Sequence, residues 1–187
     1  PALDSGETID LFDEDVERVN VTWGNYLLSL DDYYKEAGME GQLNGTLMDL
    51  AIEYGGGELK SIPYQPSTFV VMYNKDLFDD AGITELPLTW DEYLATCEAL
   101  KETGVYALTC DDAYLPALFG YVLDRVAGLD RATEIVDADT FDEPEVLVAA
   151  QALEELAANG YVDPKIEGNV FPAGQTDIAN GSVAMYL

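Results

Sequence analysis

Histidine is absent from this 187-residue chain, and its absence excludes several kinds of active site. A Ser-His-Asp triad, a cysteine nucleophile paired with histidine and a histidine-bound zinc ion all require that side chain. The two cysteines are also too few for a zinc site built from four thiolates. These classes of catalytic and metal centre are therefore excluded within the chain.

Basic residues are scarce. Eight Lys and Arg stand against 37 Asp and Glu, which gives a formal net charge of −29. A surface of this sign repels phosphate backbones, so we expect no nucleic-acid partner. Long apolar runs are missing too, because none approaches the roughly 18 residues of a membrane-spanning helix. The acidic excess fits a solvated exterior or an adaptation to salt.

The two cysteines lie in different predicted elements. Cys97 belongs to the apolar stripe of a predicted helix, and Cys110 follows a predicted strand. A helix and a strand differ about twofold in rise per residue, so positions equally far from the turn at Gly104 do not end level. We therefore predict two buried thiols rather than a disulfide.

The hydrophobic pattern alternates between strand and helix periods, which predicts an α/β fold. The predicted strands cover 8–12, 59–64, 67–73, 105–109 and 182–187. The predicted helices cover 14–28, 31–37, 75–81, 90–103, 114–126, 131–136, 144–159 and 174–180, with 44–53 helical or loop. The segment Tyr64–Ser67 offers a boundary between domains of 1–65 and 66–187.

Clustered acidic residues allow two further interpretations. A glycoside hydrolase needs two carboxylates, but among 37 acidic residues chance pairs are expected. The segment 137–142 offers clustered oxygens for calcium, yet it lacks the glycine and the later glutamate of an EF-hand loop. We predict instead a capping box, with Asp142 capping the following helix and Glu145 reaching back. No metal site is predicted.

Four motifs in one order carry a resemblance to a known family. They are Ile-Pro-Tyr at 62–64, Tyr-Asn-Lys-x-Leu-Phe at 73–78, Ala-Gly-Ile at 81–83 and Thr-Trp-x-Glu at 89–92. This order resembles the extracellular solute-binding proteins of bacterial ABC importers, in the class that carries sugars and oligosaccharides. Further similar segments lie at 8–12, 26–32, 141–145, 160–164 and 174–187, although Ile9 replaces a usual Pro and Ile178 a common Phe.

The resemblance implies a type II periplasmic-binding-protein-like fold, with two α/β lobes around a central hinge. Residues 1–65 would form part of the first lobe, and residues 66–187 most of the second. Members of the family are usually longer, so we expect an internal piece of a longer protein with an incomplete first lobe.

The implied function is capture of a neutral sugar or oligosaccharide in a cleft between lobes, followed by delivery to ABC permease subunits. The resemblance implies no cofactor and no catalysis. It places a monomer outside the cell, in contact with the membrane only through a partner or a lipid anchor. A glycoside hydrolase and a ligand-sensing extracellular module are the alternatives.

The resemblance also implies where the ligand is bound. The loop after the first strand, the crossover at 64–68 and the loop at 111–114 would line the cleft. The predicted ligand-binding residues are Asp13, Glu14, Tyr64, Ser67, Thr68, Asp112 and Tyr114. Their carboxylates would repel an anion, and only Arg18 lies close in sequence, so a neutral sugar is favoured.

Overall fold

The computed structural model describes residues 5–187, which fall into two compact units. The first unit ends at Thr68, and the second runs from Phe69 to Leu187. The boundary predicted from the sequence, after residue 65, lies three residues earlier. Each unit has its own buried residues.

The first unit is built from short helices joined by irregular chain. These helices are α1 (Val16–Trp23), α2 (Asp31–Glu36) and α3 (Gly45–Tyr54). The side chain of Asn44 caps α3 by accepting a hydrogen bond from the Leu47 amide at 3.2 Å. Val19, Ala51 and Leu59 are buried and form the interior of this unit.

Two strands predicted in the first unit do not form. Residues 8–12 and 59–64 have irregular backbone. A strand is stable only when a neighbouring strand satisfies its amides and carbonyls, and among the described residues of this unit no strand lies beside either segment. The Leu59 carbonyl instead accepts a hydrogen bond from the Leu30 amide at 2.7 Å, which ties that segment to the start of α2.

The second unit is a mixed α/β structure. Its strands are β1 (Met72–Tyr73), β2 (Tyr106–Thr109) and β3 (Val183–Tyr186). Its helices are α4 (Lys75–Asp80), α5 (Trp90–Glu102), α6 (Leu115–Ala127), α7 (Leu129–Asp137), α8 (Pro144–Ala158) and α9 (Ala173–Ala179). Most of the helices predicted here form within a few residues of their predicted bounds.

The sheet of this unit has the order β1-β3-β2. β1 runs antiparallel to β3, with Tyr73 opposite Met185, whereas β2 runs parallel to it, with Leu108 opposite Met185. The central strand β3 is buried along its whole length. The predicted strand 67–73 is shortened to its last two residues, and residues 69–73 are exposed by two fifths or more.

Helices pack against this sheet and against one another in two apolar clusters. The first cluster joins Phe78, Leu100, Leu108, Leu156 and Met185, and so connects α4, α5 and α8 to the sheet. The second cluster lies among α6, α7 and α8, with Leu123, Ile135 and Ala149 buried at its centre. Burial of this apolar surface is the main force that holds the unit together.

Both cysteines are buried and carry free thiols, which confirms the prediction. Burial raises the pKa of the Cys97 thiol to about 12. Burial, with the nearby Asp111 and Asp112 carboxylates, raises the pKa of the Cys110 thiol to about 11. Both groups therefore remain protonated and unreactive at neutral pH.

The capping box predicted at Asp142 is wrong. Helix α8 begins at Pro144, and its cap position is Glu143. Glu145 faces Arg131, with its Oε1 3.7 Å from the arginine Nε, while Glu143 accepts a hydrogen bond from the same guanidinium at 2.8 Å. Arg131 of α7 thus pairs with Glu145, the carboxylate that the local sequence predicts as part of the capping box.

Two absences apply to residues 5–187. In that range, no three Cys, Asp or Glu side chains are gathered as the ligands of a metal ion would be. None of the helices found there combines the length and the apolar character needed to span a membrane.

Candidate functional site

A groove of about 1240 Å³ in the first unit brings four predicted site residues together. Asp13, Glu14, Tyr64 and Ser67 all line it. They come from two irregular segments that are far apart in sequence, the one before α1 and the one that leads to the end of the unit. Neither segment is a regular strand, in which successive side chains point to opposite faces. Neighbouring side chains of each segment can therefore line the same groove.

Tyr64 and Asp13 are partners inside this groove. The tyrosine hydroxyl forms a hydrogen bond with the Asp13 carboxylate, and this bond, with the carboxylate's charge, raises the pKa of Tyr64. Tyr64 is nevertheless 64% exposed, so its ring face is accessible from solvent. An open aromatic face beside a fixed carboxylate is suited to a ligand with both C–H and hydroxyl groups.

The charge of Glu14 is partly offset by contacts with the start of α1. Its Oε1 accepts hydrogen bonds from the Asp15 amide at 3.0 Å and from Arg18 Nη1 at 3.3 Å. Arg18 also lies 4.0 Å from Asp15. The lining of the groove carries more acidic than basic charge, because the carboxylates of Asp10, Asp13, Glu14 and Asp15 stand against the single ammonium of Lys60.

The remaining lining of the groove is largely apolar. Ile9, Phe12, Leu28 and Leu50 contribute to it and are themselves well exposed. The ring of Phe12 packs edge-on against Trp23 at a centroid distance of 5.8 Å, which fixes one wall to α1. Polar groups at the rim and apolar groups on the walls are the usual composition of a small-molecule site.

The crossover, residues 64–68, has no regular secondary structure. Pro63 and Pro66 each remove a backbone donor and restrict one dihedral, which accounts for the irregular path. Ser67 reaches the groove from this segment, whereas Thr68 is not part of the groove lining.

The loop at 111–114 lies in the second unit, and its first carboxylate is structural. Asp111 is fully buried and accepts hydrogen bonds from the Gly174 amide and the Tyr186 hydroxyl, both at 2.8 Å. Burial and the Asp111 bond raise the pKa of Tyr186 to about 12. A Cβ on Gly174 would lie only 2.7 Å from the Tyr186 ring, so this junction requires glycine.

Asp112 and Tyr114, the predicted site residues of that loop, are more accessible. Asp112 is exposed, and its amide donates to the Asn169 carbonyl at 2.8 Å. Tyr114 is half-buried and packs edge-on against Phe69, with ring centroids 5.4 Å apart. The two residues share one 3-10 turn that leads directly into α6.

Sequence reasoning missed four residues around that turn. Buried Asn169 donates to the Thr109 hydroxyl at 3.1 Å, and the Tyr121 hydroxyl donates to the Phe69 carbonyl at 2.5 Å. Asn169 carries no local signal of its role. Phe69 could have been found from its position directly after the crossover.

Comparison with known proteins identifies the family. The sequence profile of the bacterial extracellular solute-binding proteins matches residues 4–187. The chain belongs to this family of binding proteins, and its fold is the α/β type II periplasmic solute-binding fold. Family membership and fold agree with the resemblance drawn from the motifs.

Three similar proteins illustrate the range of the family. A binding protein of Brucella abortus (strain 2308) is 25% identical over 170 residues, which are 84% of this chain and 37% of that protein. The sn-glycerol-3-phosphate-binding periplasmic protein of Shigella flexneri is 35% identical over 79 residues, which are 40% of this chain and 18% of that protein.

The third is a solved structure of a chitin oligosaccharide binding protein. It is 29% identical with a TM-score of 0.70, over 86% of this chain and 40% of that one. The chain therefore spans about two fifths of the length of the relatives that it matches over most of its own residues.

Proposed function

We propose that this protein is the substrate-binding component of an ABC importer that captures a neutral sugar or oligosaccharide. The observation that carries the proposal is the groove, where the exposed ring of Tyr64 is held beside the Asp13 carboxylate. Sugars are bound in this way, with an aromatic face against their C–H groups and fixed polar groups at their hydroxyls.

The charge of the rim supports a neutral ligand. Asp10, Asp13, Glu14 and Asp15 bring four carboxylates to the groove, whereas Lys60 brings one ammonium, which is already paired with Glu58 at 3.4 Å. A phosphate such as the ligand named for the Shigella flexneri relative would meet this acidic rim at an electrostatic cost. The ligand named for the solved structure, a chitin oligosaccharide, carries no phosphate and is better suited to this acidic lining.

The remaining parts of the proposal follow from the family. Ligand would pass to membrane permease subunits, and a monomeric protein would act outside the cell, held there by a lipid anchor or by its partner. Thr68, Asp112 and Tyr114 are proposed as additional ligand contacts. We propose no cofactor and no catalytic turnover.

The test is calorimetry of the intact protein against a panel of chitin oligosaccharides, raffinose and maltose, with sn-glycerol 3-phosphate as the anionic comparison. We expect a neutral oligosaccharide to bind. Tyr64→Ala, or Ser67→Ala with Thr68→Ala, should then weaken binding by about 1–3 kcal/mol, because stacking is lost or polar groups stay unpaired. That loss is about five- to 150-fold in affinity.

Tyr33→Ala is the matched control. Tyr33 lies on α2, is 60% exposed and does not line the groove, so its loss should leave affinity unchanged. Unchanged affinity in the Tyr64 and Ser67/Thr68 variants would place the site elsewhere. Hydrolysis of an oligosaccharide during the titration would favour the glycoside hydrolase alternative instead.

A further inference from the structure

Phe69 is an aromatic residue that is not among the buried residues of the core. Its side chain is 45% exposed, yet its ring contacts the ring of Tyr114 at 5.4 Å with an interplanar angle of 66°. Edge-to-face pairs of this kind favour a defined relative orientation. The contact therefore restricts how the Tyr114 ring can turn.

The backbone of Phe69 is held as well. The Tyr121 hydroxyl, on the second turn of α6, donates to the Phe69 carbonyl at 2.5 Å. Tyr114 and Tyr121 belong to one continuous helical segment, so the same segment contacts both the ring and the carbonyl of Phe69. Phe69 also follows Thr68 directly, at the end of the crossover.

Tyr114 has further contacts besides the one with Phe69. Tyr114 packs against a small apolar cluster of Cys110, Ile166 and Leu187. Its amide donates to the Asp111 carbonyl at 2.9 Å, and the Asp111 side chain is itself anchored in the interior. Contacts with both the cluster and the Phe69 ring restrict the orientation of the Tyr114 ring.

We propose that Phe69 is a positioning residue that orients the Tyr114 ring for ligand, and that the Tyr121 hydroxyl holds Phe69 in place for this task. This inference rests on the proposed function, in which Tyr114 contacts the sugar. A pre-oriented aromatic ring pays less ordering entropy when the sugar binds. Removal of either support should lower affinity while Tyr114 itself remains.

The first measurement needs no ligand. The intact protein is labelled with fluorotyrosine, and the resonance of Tyr114 is assigned by its loss in Tyr114→Phe. We expect Phe69→Leu to shift and broaden that resonance, and Phe69→Tyr to restore a narrow line. Phe141→Leu is the matched control, since Phe141 is a 51% exposed phenylalanine in a separate loop. A Tyr114 resonance unaffected by Phe69→Leu would overturn the proposal.

The second measurement uses the tightest-binding neutral oligosaccharide of the panel described above. We expect Phe69→Leu to weaken its binding about three- to tenfold, the range of an aromatic pair, and Phe69→Tyr to recover most of that loss. Tyr121→Phe should weaken binding severalfold, whereas Tyr106→Phe, at an exposed tyrosine of β2, should not.

The fluorine and binding measurements distinguish failure of the proposed function from failure of the positioning role of Phe69. If the unchanged protein binds no oligosaccharide, the proposed function fails, while the fluorine spectra still decide whether Phe69 orients Tyr114. If oligosaccharide binds and Phe69→Leu leaves its affinity unchanged, the positioning role is overturned and the proposed function stands. A parallel loss of thermal stability in Phe69→Leu without a Tyr114 shift would show a structural role and likewise overturn the inference.

Discussion

Asp111 and Asp112 are adjacent carboxylates with opposite environments. Asp111 is fully buried and bonded to Gly174 and Tyr186, whereas Asp112 is exposed at the start of a 3-10 turn. A carboxylate inside a protein is tolerated only when hydrogen bonds replace its lost water. Asp111 therefore fixes the loop, whereas Asp112 is exposed to solvent, with its Oδ1 accepting a hydrogen bond from the Ala113 amide at 2.7 Å.

This difference predicts unequal effects on stability. Asp111→Ala should lower the free energy of unfolding by roughly 2–4 kcal/mol, because a buried hydroxyl and a buried amide lose their acceptor. Asp112→Ala, the matched neighbour, should cost less than about 1 kcal/mol. Urea denaturation of the intact protein measures both, and equal losses would contradict the assigned roles.

The sequence could predict part of the candidate site and not the rest, for reasons visible in single residues. Asp13 and Glu14 were predicted from one segment and Tyr64 and Ser67 from another. All four line one groove. The sequence could not show which of Asp111 and Asp112 faces inward, since that depends on Tyr186, far along the chain. Whether any of these side chains contacts a sugar stays a prediction.

Helix ends were predictable because their signals are local. Thr89 and Glu92 form a full capping box at α5, with Thr89 Oγ1 accepting from the Glu92 amide at 3.2 Å. Glu92 Oε2 accepts from the Leu88 and Thr89 amides in return, at 2.8 and 3.0 Å. The predictions of strands at 8–12 and 59–64 were wrong, because a strand forms only beside a partner that can lie far along the chain.

The capping box should give α5 a pH-dependent contribution to stability. The amides of Leu88 and Thr89 lower the pKa of Glu92 in the folded protein. A lowered folded pKa means that ionised Glu92 stabilises the protein above its ordinary pKa, and that this contribution is lost as pH falls through the folded pKa.

We therefore expect Glu92→Gln to lower the urea midpoint more at about pH 7 than at about pH 3, because the contribution of ionised Glu92 is lost as pH falls through its lowered folded pKa. Glu154→Gln, at an exposed position of α8, serves as the control and should show no such pH-dependent difference. A Glu92→Gln effect of equal size at both pH values would show that ionisation of Glu92 does not matter.

At the scale of the whole molecule, charge is the dominant feature. With 37 Asp and Glu against 8 Lys and Arg, the carboxylates far outnumber the cations that can pair with them, as Arg131 does with Glu143 and Glu145. Repulsion between the remaining carboxylates opposes the compact state. Dissolved salt weakens that repulsion by shortening its range.

We expect the thermal midpoint to rise between about 0.1 and 1 M NaCl, as the screening length falls from about 10 Å to about 3 Å. Choline chloride should produce the same rise, because screening depends on ionic strength and not on the cation. A midpoint that stays flat or falls in both salts would show that self-repulsion does not limit the stability of this protein.

The strand order β1-β3-β2 has a consequence for the time course of folding. Its central strand is the last of the three to leave the ribosome, and β1 and β2 meet only through it. Until β3 is synthesised, helices such as α5 and α8 can form locally, but both earlier strands keep unpaired edges. The three-stranded sheet can therefore be completed only after β3 is synthesised, and until then the unpaired edges of β1 and β2 are open to mispairing.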